Sequence, residues 1–334
     1  MLSENARQRV DRRWFLRLSA AGTSAAACAL ASPEPASRTT TAQAAAEPPK
    51  PRGKPTEFQI ACMTLPYSRF PLERALQGIK AAGYRYVAWG TSHQEEPGKS
   101  VPVMPPDAPP EKARQLAQRC RDMGLEPLMM FSTIYPEAPN GLEVLTNRIK
   151  QASAAGIGQV LTFGHTKGGN RQLWIERFKK LGPIAQDHGV MIVVKQHGGT
   201  TGTGEACAEI IREVNHPNIM VNYDAGNVMD YLDVDPIPDI RKCAAEVRSF
   251  CIKDHRNWPR DEDCGPGLGE IDHYRLLDPV AFTGLKMPLC CENISAPLLP
   301  PPHDPQRLDW LARRAREFLE LVIEGLQLHG GKEA

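Results

Sequence analysis

The chain has 334 residues, 41% of them hydrophobic and 24% charged, with a formal net charge of +1. Residues 1–46 hold six of the 40 Lys/Arg and three of the 39 Asp/Glu, which leaves 34 basic against 36 acidic side chains, a net charge of −2 on the remainder. This is the composition of a soluble globular protein, and the balance of charge argues against nucleic acid or an anionic membrane as a partner.

The N-terminus departs from that composition. The segment DRRWFLRLSAAG, Asp11 to Gly22, sets Arg12 and Arg13 ahead of Phe15 and Leu16 and leads into an uncharged Ala-rich stretch through Ala31. A basic region followed by an apolar core is an export signal, and the paired arginines resemble a twin-arginine signal. An amphipathic helix would need a polar second face, and the Ala-rich core is too short and too weakly apolar for a stable membrane span. SPEPASRTTTAQAAAEPPKPRGKP, Ser32 to Pro55, is linker by composition. Cleavage would follow Ala31 or Ala44; Cys28 lacks the upstream leucine of a lipoprotein signal. The expected organisation is a twin-arginine-type signal and linker over 1–46, further linker over 47–55, one folded domain over 56–328 and a tail over 329–334. The mature protein is expected to be periplasmic or otherwise extracytoplasmic.

Past Pro55, apolar runs recur at Phe58–Leu65, Tyr84–Trp89, Leu125–Phe131, Gln159–Phe163, Val190–Lys195, Ile219–Tyr223, Ser249–Lys253 and Leu285–Cys291. Helix-period segments separate them, among them PLERALQGIKAAG and GLEVLTNRIKQASAAG, which end in glycine as helix C-caps do. The last, DPQRLDWLARRAREFLELVIEGLQ, is long and amphipathic. Eight β–α units in about 275 residues predict a single (β/α)8 TIM barrel. A doubly wound open sheet would carry a glycine-rich phosphate turn after its first strand, and MTLPYSRFP has none.

Eight of the nine cysteines follow the signal, but their positions do not suggest a disulfide framework. Cys62, Cys290 and Cys291 fall in apolar strands and Cys120, Cys207 and Cys243 in helical patterns, with no CxxC pair for a structural zinc. Twin-arginine export carries folded proteins, so buried thiols can stay reduced.

In a barrel, chemistry belongs at the C-terminal strand ends. Four of these ends carry unusual residues: VVKQHGG (Val193–Gly199), NYDAGNV (Asn222–Val228), FCIKDHRN (Phe250–Asn257) and LCCENIS (Leu289–Ser295). Side chains alternate along a strand, so Lys195 and His197 share a face, as do Asn222 and Asp224, then Cys251, Lys253 and His255, then Cys290 and Glu292. Burying Lys, His, Asp and Glu around one axis is costly without a purpose.

The order of these elements resembles the sugar phosphate isomerase/epimerase superfamily, the xylose-isomerase-like barrels. PNIMVNYDAGNV, the CIKD strand, the loop GPGLGEID (Gly265–Asp272) and the terminal-strand Glu carry the similarity, which spans roughly residues 56–328. The resemblance implies one divalent metal held by Glu, Asp, His and Glu from the fifth to eighth strands, with the two Glu exchanging protons with the sugar. Here Asp224 and Glu292 match the Asp and the last Glu, and His197 matches a trailing His of the fifth strand. Lys195 stands where the first Glu is expected and Cys251 where the His is expected.

The lysine changes the electrostatics. At about 4 Å and an effective dielectric of 20, an ammonium beside a dication costs about 8 kcal/mol. Lys195 and a metal at the usual position therefore exclude one another unless the metal moves or the lysine loses its proton. One reading gives Lys195 the metal's electrostatic work, polarising a sugar oxygen between Asp224 and Glu292. Another relocates the metal, zinc or manganese, to His197, Asp224, His255 and Glu292, with His165 able to join.

The resemblance implies an exported carbohydrate enzyme that moves a proton beside a carbonyl or hydroxyl through an enediolate. Glu292 and Lys195 are its candidate catalytic residues, with His197, Arg256, Gln196, Asn227 and His165 as candidate substrate contacts. No P-loop lysine accompanies Gly198–Gly204, so no nucleotide cofactor is expected. A keto-sugar lyase or hydratase needs the same first step. A carbohydrate-binding barrel that has lost the metal would keep Lys195 only as the partner of Asp224. Cys251 reads as a small core filler, His197 as a turn residue or a ligand, and Trp89 with His93 as core or as a wall for a sugar ring. The substrate and the oligomeric state stay open.

Overall fold

The computed structural model describes residues 53–300 and 302–330; the expected export signal and linker up to residue 52, and residues 331–334 of the expected tail, lie outside them. Eight parallel strands close into a barrel: Glu57–Met63, Tyr86–Trp89, Glu126–Phe131, Gln159–Phe163, Met191–Lys195, Ile219–Tyr223, Val247–Ile252 and Lys286–Cys291. Each pairs with the next, and the last pairs with the first through Ala61 opposite Cys290. The predicted (β/α)8 barrel is the observed fold, with its eight strands where the eight apolar runs fall.

Period-two alternation divides the strand residues between two cores. Ala61, Met129, Leu161, Val193, Cys251 and Cys290 point into the barrel and pack on one another. Their neighbours Cys62, Met130, Val160, Val194, Ile252 and Leu289 face outward into the larger core beneath the helices. Strands covered on both sides read as unbroken apolar runs, which is why these were legible in the sequence.

The helices start and stop on local signals. Leu72–Ala81 follows Pro71 and gives way to Gly83 at φ +89°, and Gly141–Ala155 ends on Gly156 at φ +70°, left-handed positions that glycine adopts without strain. The last helix, Pro305–Gly330, covers the closing seam of the barrel: Tyr84 donates to Ala312 O (2.8 Å), and Asp309 pairs with Arg74. All eight cysteines of the described residues are buried and unpaired, and no helix there is long and apolar enough to cross a membrane.

Two antiparallel hairpins interrupt the eightfold rhythm. Ser92–Glu96 pairs with Lys99–Pro102 after the second strand, and Asp254–Arg256 pairs with Glu262–Cys264 after the seventh. Buried Asp254 organises the second. Its carboxylate accepts from the backbone N–H of His255 (2.8 Å), Ile271 (3.0 Å) and Gly267 (3.0 Å), which ties the GPGLGEID loop over the hairpin. A Cβ on Gly269 would lie 2.3 Å from His255 O, so this crossing requires glycine.

Candidate active site

The inward rows of the fifth, sixth and eighth strands each end on a charged residue. Met191, Val193 and Lys195 form one such row, and Cys290 leads to Glu292 in another. Lys195 Nζ donates to both Glu292 oxygens at 2.7 Å and lies 3.2 Å from Asp224 Oδ2. It also stands 5.6 Å from the centre of the Phe131 ring. Lys195 and Asp224 are buried, while the Glu292 side chain keeps 12% of its surface exposed, an edge through which a small molecule can reach it.

Asp224 is held from three sides. Its Oδ1 accepts from Asn227 N (3.0 Å) and caps the helix Ala225–Leu232, its own N–H donates to Gln196 Oε1 (2.7 Å), and Oδ2 faces Lys195. Asn227 Nδ2 donates to Gln196 O (2.7 Å), and Asn227 Oδ1 accepts from Lys253 Nζ (2.5 Å). Gln196 and Asn227 therefore spend much of their polar capacity inside the scaffold. Gln196 lies on the opposite side of the strand from Lys195, near the Cys207 thiol.

Lys253 is a second buried ammonium. Besides Asn227 it donates to Asp263 Oδ2 at 2.6 Å. Gly226 makes room for it, since a Cβ there would lie 2.5 Å from the lysine's Cε. Two ammonium groups thus serve three carboxylates, those of Asp224, Glu292 and Asp263. Sequence reasoning gave Lys253 no role and passed over Asp263, although Lys253 shares the inward face of Cys251.

The charges set the proton affinities. Burial raises Asp224 to about 6 against the pull of Lys253 and Lys195, with Glu292 pushing the same way as burial. Burial also works to raise Glu292, but Lys195 and Lys253 outweigh it and hold that carboxyl at about 2. Two adjacent carboxylates are thereby driven apart, one poised near neutrality and the other firmly ionised. Burial acts to depress the Lys195 ammonium, yet Glu292 and Asp224 leave it well above the ordinary lysine range. It is a fixed cation. Burial pushes the Cys251 thiol up, which suits a packed, unreactive side chain.

The remaining candidates fall into two neighbourhoods. His197 Nδ1 donates to Gly164 O (2.9 Å), its Nε2 lies 3.3 Å from Tyr231 Oη, and its ring centre lies 4.5 Å from that of Phe163. Phe163 contacts Tyr135, on which His165 stacks at 3.8 Å, so one arc of the mouth is aromatic. Half-buried Arg256 donates to Trp258 O (2.7 Å) in the hairpin loop. His255 belongs to the hairpin, with Nδ1 3.1 Å from Asp263. Trp89 and His93 are buried. A groove of about 660 Å³ beside Phe58, Ile60, Tyr86 and Arg316 opens at the opposite end of the barrel, away from this chemistry.

Among the described residues, metal-ligating groups gather in two places: Asp224, Cys251 and Glu292, and Asp230, His255 and Asp261. The set His197, Asp224, His255 and Glu292 is divided between neighbourhoods. At the first place the Lys195 ammonium sits against both carboxylates at hydrogen-bonding distance. A dication among the same oxygens would face that ammonium at an unfavourable energy of about 8 kcal/mol. The residues present do not fit a metal there while Lys195 is charged.

Solved structures share this architecture. An L-ribulose 3-epimerase superposes with a TM-score of 0.63 at 18% identity, covering 81% of this chain and 96% of its own. A xylose isomerase-like TIM barrel protein from Mycobacterium smegmatis, in complex with magnesium, gives 0.62 at 17% identity over 82% of this chain and 97% of its own. A D-allulose 3-epimerase from Methylomonas sp. gives 0.60 at 18% identity over 81% and 99%. Among curated protein sequences none matches the chain. The family model of the xylose isomerase-like TIM barrel matches residues 76–315, and the chain belongs to that family.

Proposed function

We propose that the mouth of this barrel binds a carbohydrate and moves a proton at a carbon next to a carbonyl or hydroxyl, as a sugar isomerase or epimerase does. The observation that carries this reading is the buried Lys195 set between Asp224 and the partly exposed Glu292 at the C-terminal strand ends. Family membership and the epimerases among the similar folds support it.

In this mechanism Lys195 turns one donor to the substrate oxygen, and Glu292 takes the proton from the adjacent carbon. The electron pair left on carbon forms a carbon–carbon double bond as the carbonyl pair moves onto oxygen, giving an enediolate whose oxygen charge Lys195 balances. Protonated Glu292 then returns its proton to carbon to release the product. Glu292 is a weak base while Lys195 grips both its oxygens; a substrate oxygen that takes a share of Lys195 raises its proton affinity. Asp224 keeps Lys195 in place, and the arc of Phe163, Tyr135 and His165 covers the apolar face of the sugar, with His197 and Arg256 near its hydroxyls. Loss of a hydroxyl beside the enediolate would instead make the enzyme a keto-sugar lyase.

The test is solvent deuterium exchange into ribulose, allulose and tagatose, with product analysis. Wild type is expected to exchange at least one of them, and Glu292→Gln to abolish exchange while sparing affinity. Exchange at the wild-type rate in that variant would remove Glu292 as the base. The firm grip of Lys195 on Glu292 favours a second reading, a barrel that binds sugars without turning them over. Binding with no exchange in wild type would establish it.

We further propose that the protein is exported by the twin-arginine route, on the strength of Arg12-Arg13 and the Ala-rich core. Retention of the Arg12→Lys, Arg13→Lys precursor in the cytoplasm is the expected result, and normal export would refute it.

A further inference from the structure

We propose that Asp230, His255 and Asp261 form a divalent-metal site at the rim of the barrel mouth, distinct from the Lys195 cluster. The three side chains each offer one donor atom within 4.8 Å of the others. His255 is the informative member. Its side chain is wholly buried, and Nδ1 lies 3.1 Å from Asp263 Oδ1, while Asp263 Oδ2 is held by Lys253 at 2.6 Å. A carboxylate fixed in this way takes the Nδ1–H and directs the Nε2 lone pair outward, the orienting arrangement usual behind metal-bound histidines. Nε2 is buried and has no hydrogen-bond partner among the described residues, and Asp261 Oδ1 lies 3.3 Å from it.

Charge points the same way. Asp230, Asp261 and Asp263 converge on this imidazole, and the buried cation among them, Lys253, also faces Asp224 and Glu292. Arg260 in the same loop pairs with Glu262 instead. A dication would relieve the crowding and give Nε2 its missing partner. One imidazole nitrogen with two carboxylate oxygens suits zinc or manganese better than calcium or magnesium, which prefer oxygen alone. Three protein ligands leave a position open to water or to an oxygen of a bound molecule. The assignment does not depend on the barrel acting on sugars.

The test uses untagged mature protein stripped with a chelator and dialysed against Zn²⁺ or Mn²⁺ alone, with bound metal measured by elemental analysis. One equivalent per chain is expected. His255→Ala, His255→Gln and Asp261→Asn should each lose it, and Asp263→Asn, which frees the imidazole to turn, should weaken it by about 10–100-fold. Glu292→Gln should bind as wild type does. Circular dichroism confirms that each variant is folded, and the two His255 substitutions guard against one that is not. Absence of stoichiometric binding to wild type would overturn the proposal. So would loss of the metal in Glu292→Gln with retention in the His255 variants, which would place it at the barrel centre.

Discussion

Two layers of the same barrel interior lie one pleat apart and obey different physics. In the lower layer Met129, Leu161, Val193 and Cys290 are fully buried and apolar, and each gains by leaving water without regard to direction. In the upper layer the ends of the fifth, sixth and eighth strands present Lys195, Asp224 and Glu292, whose desolvation is repaid only by mutual geometry. The lower layer holds the barrel together. The upper one exists at a cost that packed hydrophobic side chains of like volume would avoid, which is the mark of a site kept for function.

The contrast breaks most visibly at Lys195. Lys195→Met leaves Asp224 and Glu292 buried side by side with only Lys253 to offset them, and the expected loss is about 3–5 kcal/mol at pH 7. Urea denaturation should show the loss shrinking at pH 5, where one of the two carboxyls takes up a proton. A loss below about 1 kcal/mol would mean that the cluster is not coupled as the distances indicate. Leu161→Ala, in the layer below, should cost about 2–5 kcal/mol through its cavity. That loss should be the same at both pH values, because nothing it touches titrates.

Asp224→Asn separates the layers by pH. The Asp224 carboxyl lies at about 6 in the folded protein, raised first by burial and then by Glu292 against the pull of the two lysines. Its unfolded value is about 3.9. The folded state therefore binds this proton more tightly, and its contribution to stability falls as pH rises from about 4 to about 6 and is level above. The asparagine keeps the helix-capping oxygen and has no such dependence, so the variant should gain roughly 2–3 kcal/mol on wild type across that window. Glu292 has the opposite sign. Held at about 2, it stabilises above its unfolded range and loses that contribution only as pH falls through 4 toward 2. Parallel stability curves for wild type and Asp224→Asn between pH 4 and 7 would show that Asp224 is ionised throughout.

The lower layer was the more legible in the sequence. Strands buried on both faces announce themselves as apolar runs, and glycines mark helix ends, so the barrel and its order could be read directly. The hairpins Ser92–Pro102 and Asp254–Cys264 could not, because SHQEE, KSVP, DHR and EDC have neither an apolar face nor a run. In the upper layer, alternation brought Lys195, Asp224 and Glu292 together correctly in space. The same rule puts Gln196 on the other face from Lys195, and three-residue spacing from Asp224 puts Asn227 in a helix cap. Asp263 and Asp230 carried no local signal; they reach the site only because a hairpin and a helix fold back over the mouth.

Cys251 lies on the boundary and offers the smallest and most discriminating effect. Its thiol packs in the apolar cluster with Val193 and Cys290, yet its sulfur is within 4.8 Å of donor oxygens of Asp224 and Glu292. As filler, it contributes only the burial of one small polarizable group, so Cys251→Ala should cost about 1 kcal/mol. Deuterium exchange should then continue near the wild-type rate, since Lys195 keeps both carboxylate partners. A tenfold or greater fall in exchange at unchanged stability would move Cys251 into the upper layer, as a residue that positions Glu292. Cys251→Ser decides between packing and polarity: a hydroxyl of similar size that restores exchange implicates a hydrogen bond to the carboxylates, and one that does not leaves shape as the reason for sulfur there.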